Sequence, residues 1–177
     1  MLIVVFAFVT FVVCAFFDWY IHSKYVMHSK KKLVRFLEYL RLGHPEHHID
    51  FPPRRYKNPE HPSGNVHLPG WAGVLSVGLL TLPVLPLAIY VHRLGIVVSV
   101  IVVSTLYFLT HNYVHSCYHV PKGRWFEKTK LFARMDAMHR LHHVTSRNGE
   151  PVNIAVACFL FDRIMGTAMF PKTQSHR

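Results

Sequence analysis

Histidine is concentrated in this chain, and its spacing predicts metal binding. The pattern His-x-x-His-His occurs twice, and a wider pair of histidines precedes each copy. The ten residues are His22, His28, His44, His47, His48, His111, His115, His139, His142 and His143. Imidazole is the commonest metal ligand among side chains. Histidines at positions i, i+3 and i+4 of a helix share one face, so each block can direct its rings to one point.

Ten ligands exceed what one ion can bind, so the pattern predicts two metal ions. An all-imidazole set suits iron, zinc, copper or nickel. Two carboxylates lie within reach of the ligands: Asp18 precedes His22 by four residues, and Asp136 precedes His139 by three. Either carboxylate could accept a ring N–H and orient its histidine. Pairing of Asp136 with the neighbouring Arg140 is the equal alternative.

The remaining histidines carry a weaker signal. His119 follows His115 by four residues and is either a further ligand or a neighbour of the site. The isolated residues His61, His67, His92 and His176 are expected to be surface or hydrogen-bonded core histidines.

Composition indicates one membrane domain over residues 1–177. The chain is 51% hydrophobic and 16% charged, with a formal net charge of +11. Its three cysteines form no Cys-x-x-Cys pair, which disfavours a disulfide framework or a zinc ribbon. The positive charge is better explained by basic loops at a membrane surface than by nucleic acid, because no soluble recognition motif accompanies it.

Three apolar segments, at about 2–21, 70–91 and 96–114, are long enough to cross a bilayer. The first is expected to be a retained span rather than a cleaved signal peptide, since it lacks a basic start and a small-residue cleavage site. Pro83 and Pro86 should kink the second. A shorter stretch, 152–161, is expected to be buried or re-entrant, and would be a fourth span at most. The predicted fold is therefore all-α, with three to four transmembrane helices.

Charge predicts which side of the membrane carries the histidines. Segment 22–69 contains nine Lys or Arg, segment 115–177 contains ten, and the turn between the last two spans contains Arg93 alone. The positive-inside rule places both long segments in the cytoplasm. An amphipathic helix at 30–42 on the membrane surface and another helix at 125–143 should form part of a cytoplasmic helical cap that holds the dimetal site.

The histidine motifs resemble those of the membrane fatty acid hydroxylase/sterol desaturase superfamily, over roughly residues 15–170. Segments 110–115 (THNYVH) and 51–53 (FPP) look like the fatty acid 2-hydroxylase branch, and 161–167 (FDRIMGT) is similar to the superfamily's ending. Segment 24–28 (KYVMH) and the short chain instead resemble bacterial-type β-carotene hydroxylases. The pair His22 and His28 departs from the pattern, with five intervening residues where four is usual.

The resemblance implies an O2-dependent dimetal oxygenase with no catalytic residues beyond the metal ligands. The metal would be iron, with zinc possible in isolated protein. The reaction would hydroxylate or desaturate a lipid, expected to be a fatty acyl chain, in lipid biosynthesis. No flavin, haem or ferredoxin motif is visible, so electrons should come from an external donor of the cytochrome b5 or ferredoxin type. The enzyme would lie in a bacterial inner membrane or the endoplasmic reticulum.

Three alternatives stay open on the sequence alone. The same superfamily includes carotenoid ring hydroxylases. A membrane metal-binding or transport protein, or a scaffold holding a structural zinc pair, would also use histidine clusters. Asn153 stands where the superfamily often has an asparagine, so it either contacts the site or stabilises a loop.

Overall fold

The computed structural model describes residues 1–23, 44–60, 69–144, 146–147 and 150–170. The helices are α1 (Leu2–Ile21), α2 (His44–Asp50), α3 (Gly70–Thr81), α4 (Leu85–Tyr90), α5 (Gly95–His119), α6 (Lys130–Val144) and α7 (Leu160–Ile164), with 3-10 turns at Pro53–Arg55 and Trp125–Lys128. Two short strands, β1 (Ser146–Arg147) and β2 (Glu150–Pro151), pair antiparallel. The chain is thus essentially helical, as the sequence predicts.

Helices α1 and α5 are long and apolar enough to cross a membrane. A helix of about 20 residues spans about 30 Å, the thickness of a bilayer's hydrocarbon core. Large apolar side chains such as Val4 and Phe8 on α1 and Leu106 on α5 point outward and are more than half exposed. Such an apolar exterior is stable in lipid and costly in water.

The second predicted span differs from a single kinked helix. It consists of α3 and the short α4, separated by a turn at residues 82–84. Pro83 lies in that turn, where it cannot continue the backbone hydrogen bonding of α3, and Pro86 occupies the first turn of α4, where its missing N–H costs nothing. Each proline therefore acts at a helix boundary rather than inside a bent helix.

Helices α1 and α3 both pack against α5. Phe11 of α1 meets Tyr107 of α5 edge to face, with ring centroids 5.7 Å apart. Gly73 of α3 allows a close approach to α5, because a Cβ there would lie 2.6 Å from the Phe108 ring. The third predicted span, 96–114, is longer than expected: α5 continues to His119, and this extension carries His115 and His119.

The segments that follow the long helices close over the histidines. The predicted helix 125–143 is a 3-10 turn followed by α6, while the predicted helix 30–42 lies outside the described residues. The stretch 152–161 is mostly irregular and buried up to Val156, before α7 begins. Phe161 of α7 packs against Phe16 of α1, with ring centroids 5.3 Å apart. The C-terminal segment is thereby held against the end of α1.

Candidate metal centre

Four histidines from three helices bring ligand atoms together in what we call the four-histidine cluster. Its members are His47 of α2, His119 of α5, and His139 and His143 of α6, and their candidate ligand atoms all lie within 4.8 Å of one another. The Nε2 atoms of His47 and His143 are 3.2 Å apart, and those of His119 and His139 are 3.1 Å apart. Nitrogens each about 2.0–2.1 Å from a shared ion lie about 3 Å apart, so the spacing fits one metal ion.

Backbone carbonyls fix which ring nitrogen faces the cluster. His119 Nδ1 donates to the carbonyl of Tyr56 at 2.9 Å, and His143 Nδ1 donates to that of Phe51 at 3.0 Å. Because a carbonyl can only accept, Nδ1 must carry the proton and Nε2 must carry the lone pair. This orientation, with the far ring nitrogen bonded to the backbone, is typical of metal-binding histidines.

Burial keeps the rings of His48, His139 and His142 neutral. Desolvation, reinforced by neighbouring histidines, holds the pKa of His139 well below its usual value of 6.5. The same causes lower the pKa of His142 to about 3 and that of His48 to about 4. All three rings are uncharged at neutral pH, which is the protonation state in which imidazole binds metal.

A second group, which we call the Asp18 cluster, consists of Asp18, His22 and His111. Their candidate ligand atoms also lie within 4.8 Å of one another. Asp18 Oδ1 is 3.3 Å from His111 Nε2 and 3.4 Å from His22 Nδ1. Residues 22–23 form a wider π-type turn at the end of α1, a deviation that often occurs at functional sites.

The remaining histidines connect the two clusters. His115 has its ring centroid 4.6 Å from that of His47 and 5.9 Å from that of His111. His48 and His142 pack edge to face at 5.1 Å, and His142 Nδ1 donates to the carbonyl of Val152 at 3.0 Å. The structure therefore brings eight of the ten sequence-predicted ligands into one continuous array.

Two predicted ligands cannot be placed with the others. His28 lies outside the described residues, and the backbone of His44 begins α2, but its side chain is not among those described. His119, open between ligand and neighbour on the sequence alone, contributes a nitrogen to the four-histidine cluster. Its spacing of four and eight residues from His115 and His111 on α5 was the only local signal for this position. His92 is exposed in the turn before α5.

The two predicted partners of Asp136 differ from those in the structure. Its Oδ2 accepts a hydrogen bond from Lys57 Nζ at 2.6 Å, and its Oδ1 accepts one from the Tyr56 hydroxyl at 3.1 Å. These contacts tie α6 to the segment after α2. Asp136 thus stabilises the cluster's surroundings through Tyr56, whose carbonyl orients His119.

Asn153 makes its hydrogen bonds to the backbone. Its side-chain Nδ2 donates to the carbonyls of Met138 and Met169, and its Oδ1 accepts from Met169 N, at 2.7–2.9 Å. Its backbone has a φ of +49°, which asparagine tolerates better than most residues. The side chain therefore fastens the C-terminal segment to α6 directly beside His139.

Asn153→Ala is expected to destabilise the protein by about 2–5 kcal/mol, since each lost bond contributes about 0.5–1.5 kcal/mol and alanine is strained at positive φ. Unfolding of the purified protein in detergent measures the change. Asn153→Gly loses the same bonds without the backbone strain and should recover about 1 kcal/mol. Equal stability of wild type and Asn153→Ala would contradict this role.

The fold and site define a helical protein with membrane-spanning character and a histidine-rich metal-binding centre. The family model for fatty acid hydroxylase matches residues 4–167, nearly the whole chain. No curated protein and no solved structure matches it. The chain belongs to the fatty acid hydroxylase family, which makes it an oxidoreductase of the lipid hydroxylase or desaturase type.

Proposed function

We propose that the chain is an O2-dependent membrane oxygenase that uses two iron ions to hydroxylate or desaturate a fatty acyl chain. The observation that carries the proposal is the four-histidine cluster, whose Nε2 atoms converge at 3.1–3.2 Å while backbone carbonyls hold the far side of two rings. Together with the Asp18 cluster it supplies two sets of ligands, as a dimetal site requires. Family membership supplies the class of reaction.

The chain's own residues would bind the two ions, orient the ligands and shield the site from water. The bound ions would activate O2 with two external electrons and two protons from solvent, so that hydroxylation puts one oxygen atom into a C–H bond and releases the other as water. Around them, Phe51 and Tyr118 are fully buried beside the rings, and Tyr118 stacks on His139 at 5.0 Å. These apolar faces exclude water from the ligands.

The lipid would reach the site from the bilayer. His111 and His115 lie near the C-terminal end of α5, whose outer face is apolar and exposed. The ligands therefore sit at one end of the spanning helices, where a carbon of an acyl chain with its headgroup in the interface can approach them.

An external electron donor would dock on a basic surface. The exposed basic residues of the segments around the histidines are Arg54, Arg55, Lys57, Lys122, Arg124, Lys128, Lys130, Arg134 and Arg140. The positive-inside rule favours the cytoplasm for this face, and its charge complements an acidic cytochrome b5 or ferredoxin. Donor-dependent turnover is expected to fall as ionic strength rises from about 0.01 to 0.15 M, because the Debye length shortens from about 30 to 8 Å. Turnover indifferent to salt would argue against this docking surface.

Lipid analysis of an expressing host tests the proposal. Under ¹⁸O2, cells with the wild-type chain should accumulate acyl chains that carry one ¹⁸O atom, or acyl chains with a new double bond. Cells that express the His143→Ala variant provide the matched control and should show neither. Labelled xanthophylls in a carotenoid-producing host would instead assign the chain to carotenoid ring hydroxylation. Metal uptake without any oxidised lipid would contradict an oxygenase.

A further inference from the structure

Two buried carboxylates hold the same stretch of backbone but use their oxygens differently. Asp162 accepts from the amides of Ile154 and Ala155, at 2.7 and 3.0 Å, and Asp18 accepts from the next two amides, Val156 and Ala157, at 3.2 and 3.3 Å. Four consecutive N–H groups thus meet two carboxylates. This shared structural role makes Asp162 a natural reference for Asp18.

In Asp162, both oxygens are taken up by this role. Its Oδ1 accepts from Ile154 N and from the Thr167 hydroxyl, the latter at 2.7 Å, and its Oδ2 accepts from Ala155 N. Among the described residues, the Asp162 carboxylate pairs with no histidine ring. Its carboxylate is accounted for by hydrogen bonds within the C-terminal segment.

In Asp18, one oxygen performs the whole structural role. Oδ2 accepts from both backbone amides and from the Tyr107 hydroxyl at 3.0 Å. Oδ1 is buried and has no hydrogen-bond partner among the described residues, although His111 Nε2 is only 3.3 Å away. His111 Nε2 is also buried without a hydrogen-bond partner in the described part of the chain.

An oxygen and a nitrogen that approach to 3.3 Å without hydrogen-bond geometry are placed as two ligands of one ion would be. Ligand atoms about 2.0–2.2 Å from a common ion lie about 3 Å apart. His22 belongs to the same group, with candidate ligand atoms within 4.8 Å. Its Nδ1 donates to the Asp18 backbone carbonyl at 3.2 Å, so Nε2 is the His22 nitrogen that would bind the ion. The side chains of Asp18, His22 and His111 are 3%, 8% and 4% exposed, so water does not compete for the position.

We propose that Asp18 is itself a metal ligand, and that its Oδ1 joins His22 and His111 in binding one of the two ions. The assignment rests on the proposed dimetal function. Two imidazoles and one carboxylate with open positions form a set that binds Fe(II) in non-haem oxygenases. The two ions would then be chemically unequal, one bound by imidazoles alone and the other by a mixed set with a negative charge.

Asp18→Asn separates the ligand role from the structural one. The three donors around Oδ2 require an acceptor there, so the asparagine carbonyl takes that place and its NH2 group occupies the position of Oδ1. An amide NH2 cannot bind a cation. The variant is expected to keep the fold of the metal-free protein and to bind about one ferrous ion per chain instead of about two, measured by elemental analysis after anaerobic loading with Fe(II) alone.

Two further variants serve as comparisons for Asp18→Asn. Asp162→Asn should lower the stability of the metal-free protein, because its NH2 must face another donor, without a selective loss of one ion. His111→Ala should lose the same ion as Asp18→Asn, so the double variant should lose no more than either single one. Iron-57 Mössbauer spectra of the wild type need no variant and should show two unequal sites of equal area.

Several outcomes would overturn the assignment. Asp18→Asn that still binds two ions would mean that Asp18 pairs with His111 and binds no metal. Loss of both ions from a folded variant, or one uniform Mössbauer signal from the wild type, would also contradict it. A wild-type chain that binds no metal at all would instead contradict the proposed function, so the two failures are distinguishable.

Discussion

His143→Ala is expected to abolish lipid oxidation and to remove the ion of the four-histidine cluster. His143 has two roles, since its Nε2 lies 3.2 Å from His47 Nε2 and its Nδ1 donates to the Phe51 carbonyl at 3.0 Å. Alanine removes the ligand and leaves that buried carbonyl without its donor. Turnover should fall by more than about 100-fold, because losing even a residue that only orients a ligand costs about 10- to 100-fold.

The measurement combines metal content with acyl oxidation in reconstituted membranes. His92→Asn is the matched control: His92 is exposed, far along the chain from the ligand blocks, and its φ of +52° suits asparagine. It should keep both metal and activity. We expect alanine variants of His47, His48 and His142 to lose metal and activity as well. Any of them that retained full activity and full metal content would lose its assignment as a ligand.

Local spacing predicts the parts of the site that lie within one helix. His139, His142 and His143 share a face of α6 because their spacing matches the helical repeat, and the one-turn spacing of His111 and His115 does the same on α5. The family resemblance draws on these same motifs, and the family match confirms it. The predominantly helical fold follows from the same apolar and amphipathic periodicity.

Contacts between distant segments could not be predicted in this way. Asp136 and its partner Lys57 are 79 residues apart, and no periodicity links them. The two oxygens of Asp18 differ only because Tyr107 and the 156–157 backbone reach one of them. The break between α3 and α4 depends on where each proline falls relative to a helix end, which composition alone does not determine.

His119 shows most clearly how tertiary structure determines the orientation of a ring that spacing leaves open. One turn beyond His115, the ring could face the site or the surrounding core. In the folded chain the Tyr56 carbonyl holds its Nδ1 at 2.9 Å, which turns its Nε2 toward His139 Nε2 at 3.1 Å. Tyr56 is brought there by α2 and by its contact with Asp136, 80 residues away. The position of the His119 ring at the cluster is therefore a property of the assembled fold.

His119→Ala is accordingly expected to lose the same ion as His143→Ala, with a comparable loss of turnover of more than about 100-fold. Free imidazole should restore part of the metal binding and activity, because it can occupy the vacated space and supply the missing nitrogen. A residue that only filled space would not require that nitrogen, and a ligand of similar volume without one, such as cyclopentane, should not substitute for imidazole.

Tyr118→Phe is the control for packing beside His119. It removes the hydroxyl that donates to the Val156 carbonyl at 3.2 Å but keeps the ring that stacks on His139. We expect it to lower stability by about 1 kcal/mol and to leave the metal content unchanged. If His119→Ala behaved like this control, with both ions and full turnover retained, three histidines would bind the ion and His119 would only support them. If His119→Ala loses the ion, imidazole restores it, and Tyr118→Phe keeps it, then the last turn of α5 contributes a fourth ligand.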